Sequence, residues 1–403
     1  MAMPLEGIRV LDWTQWQQGP VAAMMLADLG ADVIKIEERT RGDPARGMER
    51  LSGLITLKTG RNAYYEINNR NKRGITVDMR KEEGKEIVYR LVEKSDVFLH
   101  NFLDSVARRQ KMDYETLVKY NTKLIYVVAS GYGSQGPDAD KRSFDYTGQA
   151  RSGIMSMCGE PDMPPQRIEG GVADQMGAIM AAYATVVALL ARERLGVGQK
   201  VNASMLGALM WLQGLNIGVK LIGGEVFRRQ SRKSPQNPLW NHYQCGDGKW
   251  VVLAHLQADR FWPNVCKAMG MEHLRDDPRF KDTEARRTNA SELVTIMDKI
   301  FKAKTREEWG VSFDKNDVVY SVLNDFDDLV SDPQVLANNY ITNYDHPIWG
   351  KIKMPGIPIH LEKTPGEIRM PAPEWGQHTE EVLTELLGYS WERITELRDK
   401  EVI

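Results

Sequence analysis

An aspartate stands at the junction between a glycine-rich turn and a long apolar segment. Asp174 follows Gly170 and Gly171, and the small and apolar residues after it predict a helix from Asp174 to Leu195. A carboxylate at a helix start lies near the positive end of the helix dipole and stays ionised. It can then act as a nucleophile, or it can cap the helix by accepting backbone N–H groups. The glycines suit both roles, since they permit a strained turn and a close approach to an oxyanion. The local pattern by itself favours the cap.

The other candidate groups are not spaced for nucleophilic, metal or dinucleotide chemistry. The histidines show no Ser/His/Asp order or metal-ligand spacing, and the cysteines form no CxxC pair, so we predict no metal site. The first strand-to-helix turn, from Asp12 to Pro20, lacks the GxGxxG pattern, which leaves Glu37 as a solvated strand end rather than a ribose ligand. Among these residues are four of the seven histidines, His242, His255, His360 and His378, and the three cysteines, Cys158, Cys245 and Cys266.

The charge balance indicates which partners are excluded, and the N-terminus and cysteine content indicate the compartment. The chain has 53 basic and 55 acidic residues, so it carries no broad electrostatic footprint for nucleic acid or an anionic membrane. Its N-terminus is too polar for a secretory signal, and three unpaired cysteines fit a reducing compartment. The longest uncharged stretch, Met176 to Ala191, is shorter than the roughly 18 apolar residues of a membrane span. We expect a cytoplasmic protein that binds neither nucleic acid nor membrane.

Strand and helix patterns alternate over the first 130 residues. Helical patterns in VAAMMLADLG and EGKEIVYRLVEK separate β-branched runs in IRVLDW, ADVIKIE, ITVDM, DVFLH and LIYVVAS. This alternation predicts right-handed parallel crossovers and a doubly wound α/β sheet, whose ligands bind outside the carboxyl ends of the strands. The loops expected to carry the site follow Asp12, Ile36, His100 and Ser130.

The length of 403 residues predicts more than one domain. A second apolar helix is expected from Ala203 to Leu221, and the basic, proline-bearing segment after Gly223 reads as a linker. A hairpin-like HYQCGDGKWVVLA, turning at Gly246, and amphipathic helices then indicate a small α+β insert. An extended PGIPIHLEKTP and a helix in GQHTEEVLTELLG return the chain to the first domain. The expected division is 1–225 for the first part of the large domain, 226–334 for the small domain and 335–403 for the return segment.

Several segments, in this order, resemble the class III CoA-transferases of the CaiB/BaiF family. They are PLEGIRVLDWTQWQQGP, LADLGADVIKIE, NRNKRGITVDM, LIYVVASGYGSQGP and GQHTEEVL, and they span nearly the whole chain. The resemblance implies a Rossmann-like large domain formed by both chain ends, a smaller inserted domain and an interlocked, ring-like dimer. Because some transferases of this family pair two related subunits, the partner is expected to be a second copy or a paralogue.

The resemblance also implies a chemistry. Family members carry a nucleophilic aspartate just before a long small-residue helix, and the matching position is Asp174. Asp174 would attack an acyl-CoA thioester and pass through an aspartyl anhydride and an aspartyl-CoA thioester. Gln17 matches a glutamine of the active site, and Trp16, Gly170 and Gly171 are expected around the acyl pocket. Acyl-CoA and a carboxylic acid are then the substrates, and no cofactor is bound permanently.

A set of residues is expected to bind CoA. Basic side chains in the phosphate-facing loops would neutralise its three phosphate groups, and the phenol of Tyr132 would hydrogen-bond the thioester. Two departures from the family pattern, Glu38 in place of arginine and Leu103 in place of glycine, leave the adenosine contacts open. The expected CoA-binding residues are Arg39, Lys72, Arg73, Asn101, Phe102, Arg109 and Tyr132.

Two other functions belong to the same superfamily. In α-methylacyl-CoA racemases a histidine abstracts a proton at the position of Phe144, so the lack of a proton acceptor there favours transfer. A non-catalytic subunit would lack the nucleophile, which this chain retains.

Trp16, Trp240 and Met155 suggest a bulky or aromatic acceptor. The chain is similar to the benzylsuccinate CoA-transferase subunits of anaerobic toluene degradation, with succinyl-CoA as donor; a carnitine-type or simple dicarboxylic acid stays open.

Overall fold

The computed structural model describes residues 2–48, 50–51, 55–56 and 62–403. The chain forms two compact units, of which the first combines Met1–Met155, Arg167–Glu225 and Leu336–Ile403. The second combines Ser156–Gln166 with Val226–Val335. The sequence assigns residues 156–166 to the large domain, and the structure corrects this. Arg229 holds that segment in the second unit, because its guanidinium donates to the carbonyl oxygens of Ser156 at 2.9 Å and Met163 at 2.6 Å.

The elements follow one another in chain order. From residue 9 to residue 130 they are β1 (Arg9–Trp13), α1 (Gln18–Asp28), β2 (Asp32–Glu37), β3 (Arg50–Leu51), β4 (Ile55–Thr56), α2 (Ala63–Asn69), β5 (Lys72–Thr76), α3 (Glu82–Glu93), β6 (Val97–His100), α4 (Asp104–Gln110), α5 (Tyr114–Leu117) and β7 (Ile125–Ser130). From residue 145 to residue 223 they are α6 (Asp145–Ser152), α7 (Val172–Leu195), β8 (Gln199–Ser204), α8 (Met205–Leu212) and α9 (Gly214–Gly223). From residue 240 to residue 337 they are β9 (Trp240–Gln244), β10 (Trp250–Ala254), α10 (Ala258–Met269), α11 (Thr283–Thr288), α12 (Ala290–Phe301), α13 (Arg306–Lys315), β11 (Tyr320–Leu323), α14 (Phe326–Leu329) and α15 (Pro333–Ala337). The last are β12 (Ile341–His346), β13 (Gly350–Pro355), α16 (Thr379–Leu387) and α17 (Trp391–Asp399).

The first unit is built on a six-stranded parallel sheet in the order β5-β2-β1-β6-β7-β8. The parallel α/β sheet expected from the alternating patterns is confirmed. The chain first proceeds outward from β1 to β5 and then returns to place β6 on the other side of β1. The order therefore reverses between β1 and β6, and a ligand crevice is expected outside the carboxyl ends of these two strands.

Helices cover both faces of this sheet. Neighbouring residues of β1 point to opposite faces, so Val10 packs with α1 and α7 while Leu11 packs with α3, α16 and α17. The second group includes Val382 and Ile394, which come from the last part of the chain. Residues from both ends of the sequence thus complete one hydrophobic core.

The long apolar helix α7 has 24 residues and begins two residues before Asp174. By length and composition α7 is able to cross a membrane, and so is the pair α8 and α9 if the two, bent by 74°, are taken as one span. Within the first unit α7 packs against α1 and the sheet and buries Ala178 and Ala181 there. Such packing is what a core helix does, and length and composition do not by themselves identify a span.

The expected helix from Ala203 to Leu221 is wrong in part. Ala203 and Ser204 end strand β8, whose polar sequence QKVNAS gives no apolar run to identify it. The Ser204 hydroxyl then caps α8 by accepting the Gly207 N–H at 3.0 Å. A break at Gln213 separates α8 from α9.

The second unit contains an antiparallel sheet of three strands in the order β11-β10-β9. The predicted hairpin is confirmed: β9 pairs with β10, and Gly248 takes the positive φ, +83°, that its turn requires. Four large side chains from α10, α12 and α13 form much of its core, namely Trp262, Phe301, Trp309 and Phe313.

The return segment contains the predicted helix and three elements that the sequence did not indicate. The helix in GQHTEEVLTELLG is α16, which ends at Gly388 in the left-handed region. Strands β12 and β13 form a hairpin before it, and α17 follows it. The expected extended run over residues 355–365 forms no strand beyond Pro355.

Candidate active site

A cavity of about 850 Å³ lies in the first unit, outside the carboxyl ends of β1, β6 and β7. Its walls come from the loops after these strands, which are three of the four loops that the sequence singles out; the loop after β2 does not contribute. Four of the expected site residues line it: Trp16, Asn101, Phe102 and Asp174. The cavity therefore occupies the crevice that the reversal of strand order creates.

Asp174 lies in the first turn of α7 but does not cap it. The N-cap is Gly171, and the Asp174 carboxylate accepts no hydrogen bond from any residue in the described part of the chain. Burial, with a smaller contribution from the negative charge of Asp145, raises the pKa of Asp174 to about 7. Burial and the charge of Asp145 thus oppose the ionisation that the helix dipole was expected to favour.

Asp145 caps α7 in its place. Its Oδ1 accepts the Ala173 N–H at 2.6 Å and the Asp174 N–H at 3.4 Å. A carboxylate from α6 thus satisfies amide groups at the start of α7, while the carboxylate of Asp174 faces the cavity. The sequence gives no signal for this contact, because 28 residues separate Asp145 from Ala173.

The turn before α7 is in contact with Gln17. The side-chain amide nitrogen of Gln17 lies 3.5 Å from the Gly170 carbonyl oxygen. A Cβ on Gly171 would stand 2.6 to 2.9 Å from the amide atoms of Gln17, and Gly171 has φ +78°, so a side chain is excluded both by space and by conformation. Gln17, Gly170 and Gly171 adjoin Asp174 without being among the residues that line the cavity.

Tyr64 fixes the orientation of that amide. Its hydroxyl donates to Gln17 Oε1 at 3.1 Å, which directs the nitrogen of Gln17 toward Gly170. Burial and the nearby charges of Asp174 and Asp43 hold the pKa of the Tyr64 phenol well above its ordinary value, so it stays a donor. Sequence reasoning missed Tyr64, since only the fold brings α2 to this turn.

Trp16 has a strained backbone. Its φ of +68° lies in the left-handed region, which a bulky residue rarely adopts. The Trp16 N–H donates to Asp43 Oδ1 at 3.1 Å, and its ring meets the ring of Phe144 edge to face at 6.5 Å. Both rings line the cavity with Asp174.

Buried ion pairs hold the loop that carries Trp16 and Gln17. Lys35 Nζ pairs with Asp43 Oδ2 at 3.0 Å and donates to the Thr14 carbonyl oxygen at 2.9 Å. At the other end of the loop, Lys72 Nζ pairs with Asp12 Oδ2 at 2.7 Å and donates to the carbonyl oxygen of Pro20 at 2.8 Å. Each end of the loop is therefore held by a buried ammonium group.

Asn101 and Phe102 support the same loop. The Asn101 amide accepts the Gln15 N–H at 3.0 Å and donates to the Gln15 carbonyl oxygen at 2.8 Å. Phe102 stacks on Trp13 with ring centroids 4.3 Å apart. Tyr132 is half-buried between two glycines that line the cavity but does not line it itself.

The structure corrects the phosphate-facing placement of Lys72. It is the first residue of β5, at the amino end of the strand and away from the carboxyl-end loops, and its side chain is fully buried. Burial lowers the pKa of Lys72 to about 8 even though Asp12 opposes the shift. All three of its ammonium hydrogens have protein acceptors, the third being Asn69 Oδ1 at 2.9 Å.

Arg73, Arg39 and Arg109 also lie outside the cavity lining. Arg73 pairs with acids of its own unit, at 2.7 Å to Asp32 and 2.7 Å to Glu385. Arg39 donates from Nε to the backbone carbonyl of Ile403 at 2.9 Å. Arg109 is exposed on α4, where one helical step of about 100° separates it from Arg108, which does line the cavity.

Comparison with known proteins identifies the family to which this site belongs. A family profile described as CoA-transferase family III matches residues 5–379. The chain belongs to CoA-transferase family III. The family expected from the sequence segments is thereby confirmed, and CoA thioesters are the substrates of this enzyme.

This CoA-transferase is similar to enzymes of different acyl preference. It is 33% identical to the succinyl-CoA–D-citramalate CoA-transferase of Chloroflexus aurantiacus, over 99% of this chain and 98% of that protein. It is 29% identical to the cinnamoyl-CoA:phenyllactate CoA-transferase of Clostridium sporogenes, over 98% of this chain and 97% of that protein. The crystal structure of a CaiB/BaiF family protein from Brucella suis matches with a TM-score of 0.85 and 29% identity, over 96% of this chain and 100% of that one.

The cavity of this CoA-transferase carries basic side chains that the sequence did not single out. Arg108 and Lys200 share Asp104, at 2.6 Å and 3.3 Å, and Lys141 and Arg142 come from the loop after β7. The sequence predicted that the loop after β7 contributes to the site. It did not indicate which side chains of that loop point into the cavity. Among the described residues, no group of three or more His, Cys, Asp or Glu side chains is placed to hold a metal ion.

Proposed function

We propose that Asp174 is the covalent nucleophile through which this enzyme moves CoA from an acyl-CoA donor to a carboxylic acid. The observation that carries the proposal is the placement of the Asp174 carboxylate in a cavity with four basic side chains and without a hydrogen bond from the described residues. An unbonded, partly desolvated carboxylate is a better nucleophile than one held by backbone amides.

The reaction proceeds in two halves. A carboxylate oxygen of Asp174 attacks the donor thioester carbonyl, the C–S bond breaks, and CoA leaves as a thiolate from an acyl-aspartyl anhydride. The thiolate attacks the Asp174 carbonyl carbon, which releases the donor acid and leaves an aspartyl-CoA thioester. The acceptor carboxylate then attacks that thioester and expels the thiolate. Attack of the thiolate on the acceptor acyl carbon forms the new acyl-CoA and restores the Asp174 carboxylate.

The amide of Gln17 is suited to the oxyanions of this sequence. Tyr64 and the Gly170 carbonyl fix its orientation beside the turn that precedes Asp174. A donor that is oriented before the reaction stabilises developing negative charge without reorganisation. We place the amide hydrogens of Gln17 at the carbonyl oxygens of the aspartyl anhydride and thioester.

The four basic residues account for binding of the CoA phosphates. Guanidinium groups pair with phosphate oxygens in a bidentate manner, and Lys141 and Lys200 add point charges. These side chains are Arg108, Lys141, Arg142 and Lys200, and they replace the basic residues expected from the sequence.

We further propose succinyl-CoA as donor and an aromatic dicarboxylic acid of the benzylsuccinate type as acceptor. The edge-to-face pair of Trp16 and Phe144 offers an aromatic wall beside Asp174. Of the two relatives, one is named for a succinyl-CoA donor and the other for aromatic acids. A racemase would need a proton acceptor where Phe144 stands, and no solvent deuterium should enter the α-position of an acyl-CoA during turnover.

A second copy of the chain, or a paralogue, is proposed to cover the exposed apolar face of α8 and α9. Trp211 is 77% exposed, Leu215 74%, Leu221 79% and Ile222 92%. Together these side chains expose more apolar surface than singly scattered hydrophobic residues do. We expect a cytoplasmic dimer, and light scattering should give twice the chain mass. A monomeric mass, or recovery only with detergent, would contradict this assignment.

The test of the proposed function compares Asp174→Asn with Asp282→Asn, the same change at a helix-capping aspartate of the second unit. CoA exchange between succinyl-CoA and a panel of acids should fall by roughly 10³-fold or more in Asp174→Asn while acyl-CoA binding persists. Asp282→Asn should retain exchange close to that of the wild type. Turnover in Asp174→Asn close to that of the wild type would refute the nucleophile.

A further inference from the structure

The N-terminal amide groups of α7 are occupied by a side chain from another helix. Asp145 Oδ1 accepts from the Ala173 N–H at 2.6 Å and the Asp174 N–H at 3.4 Å. The first amide groups of a helix have no partner within the helix and attract negative charge. In the absence of Asp145, the nearby carboxylate able to meet them would be that of Asp174 itself.

A buried glutamine fixes Asp145 in this position. Gln149 Nε2 donates to Asp145 Oδ2 at 2.7 Å and to the Ile168 carbonyl oxygen at 2.8 Å. Its Oε1 accepts the Ile168 N–H at 2.9 Å, so Gln149 joins α6 to the turn that leads into α7. Gln149 is fully buried. The carboxylate of Asp145 thus has both oxygens bound to groups whose own positions are fixed.

Contact with these amides would make Asp174 a poorer nucleophile. Backbone N–H groups and the helix dipole stabilise the charged form of a carboxylate, and this stabilisation must be given up as the oxygen forms a bond to carbon. We propose that Asp145 is a positioning residue: it occupies the N-terminal amides of α7 and so keeps the Asp174 carboxylate unbonded and directed into the cavity. This proposal rests on the proposed role of Asp174 as the nucleophile.

The charge of Asp145 has a second effect that can be measured. Asp145 from α6 is the charged group that raises the pKa of Asp174, and Asp174 in turn raises the pKa of the Tyr64 phenol from α2. The four basic side chains line the same cavity, and the residues of α8 packed on this part of α7 are uncharged. Removal of the Asp145 charge should therefore move the titration of Asp174 to lower pH. Burial continues to oppose this shift, so the pKa of Asp174 should stay above its ordinary value.

The test uses Asp145→Asn and Asp145→Ala. The amide oxygen in Asp145→Asn can still accept the Ala173 N–H, so its rate of aspartyl-thioester formation above pH 8 should stay within about tenfold of the wild-type rate. The acid limb of that rate should move down by about half a pH unit or more. In Asp145→Ala the amides are released, and the rate above pH 8 should fall by roughly 10- to 100-fold.

A matched control is Asp282→Asn, which alters a helix-capping aspartate of the second unit whose Oδ1 accepts the Ala285 N–H at 2.8 Å. This control should leave both the acid limb and the rate unchanged. An acid limb that is the same in Asp145→Asn and the wild type, or full rate in Asp145→Ala, would overturn the proposal.

Two further measurements separate the possible failures. If wild-type protein forms no aspartyl thioester, the proposed function fails. The role of Asp145 is then still decided by titrating Asp174 without substrate. The Asp174 signal is identified as the carboxyl ¹³C signal that is present in the wild type and missing in Asp174→Asn. If the variants do not fold, a crystal structure of the wild-type protein decides. Asp145 on the Ala173 amide supports the proposal, and Asp174 in that place refutes it.

Discussion

Lys35 Nζ and Asp43 Oδ2 form an ion pair of 3.0 Å in which neither side chain is exposed. Burial alone lowers the pKa of Lys35, but the carboxylates of Asp43, Asp12 and Glu37 together raise it, so the ammonium stays charged. Two further bonds of this pair reach the loop between β1 and α1, at the Thr14 carbonyl and the Trp16 N–H. The strained backbone of Trp16 is therefore held by a charged pair beneath the active site.

Replacement of Asp43 should test whether this pair serves catalysis. Asp43→Ala leaves Lys35 unpaired and should lower the free energy of unfolding by about 3–5 kcal/mol, measured by urea denaturation. It should also lower kcat more than it raises KM, because the Trp16 N–H loses its acceptor. In the double variant Lys35→Met with Asp43→Leu, stability should recover but kcat should not. Recovery of both would show that the pair is only structural.

The two glycines of the turn before α7 provide a matched comparison. Both have positive φ, +90° at Gly170 and +78° at Gly171, but only at Gly171 would a Cβ meet the amide of Gln17. Gly171→Ala should lower kcat by roughly 100-fold, since it displaces Gln17. Gly170→Ala carries the same conformational strain and should lose less than about tenfold. Equal losses would mean that strain, rather than Gln17, is what matters.

Adjacent arginines on α4 test the CoA-binding residues. Arg108→Ala should raise KM for acyl-CoA about 10-fold, because Arg108 lines the cavity and its charged hydrogen bonds to phosphate would be lost. Arg109→Ala should change KM by less than about twofold, since Arg109 is exposed outside the lining. Initial rates at several acyl-CoA concentrations give both constants. A larger effect at Arg109 would restore the assignment made from the sequence.

The pKa of Asp174 predicts how stability depends on pH. Its pKa is about 7 in the folded protein and 3.8 in the unfolded chain, so its stabilising contribution is complete below pH 3.8 and is lost as the pH rises through 7. Asp174→Asn does not titrate, and relative to the wild type it should gain about 2–3 kcal/mol between pH 5 and pH 8. The exposed Asp162→Asn serves as the control and should show no such change. A constant difference for Asp174→Asn across this range would contradict the raised pKa.

The parallel sheet could be predicted because each buried strand is an apolar run flanked by helical patterns. Strand β8 could not, because QKVNAS is polar and its pairing with β7 is a tertiary fact. The position of Asp174 before a helix of small residues indicated the centre of the site. Its surroundings did not follow from sequence, since the contacts of Asp145 and Tyr64 depend on how separate helices pack.

Lys72 shows that sequence also suggests site residues that the fold then buries elsewhere. In the sequence Lys72 resembles a surface residue, with no sign of Asp12, its partner 60 positions earlier. Burial and ion pairing decide which basic side chains are free to bind a phosphate, and both are properties of the fold. The loops after the strands could be predicted, but not the side chains that point from them into the cavity.

One measurement tests the central claim most directly. The protein is incubated with succinyl-CoA, the thioester is reduced with borohydride, and the modified peptide is mapped by mass spectrometry. We expect the residue at position 174 alone to be reduced from a carboxyl to an alcohol, with no modification in Asp174→Asn. Modification at another carboxylate, or CoA exchange without any modified peptide, would contradict the account.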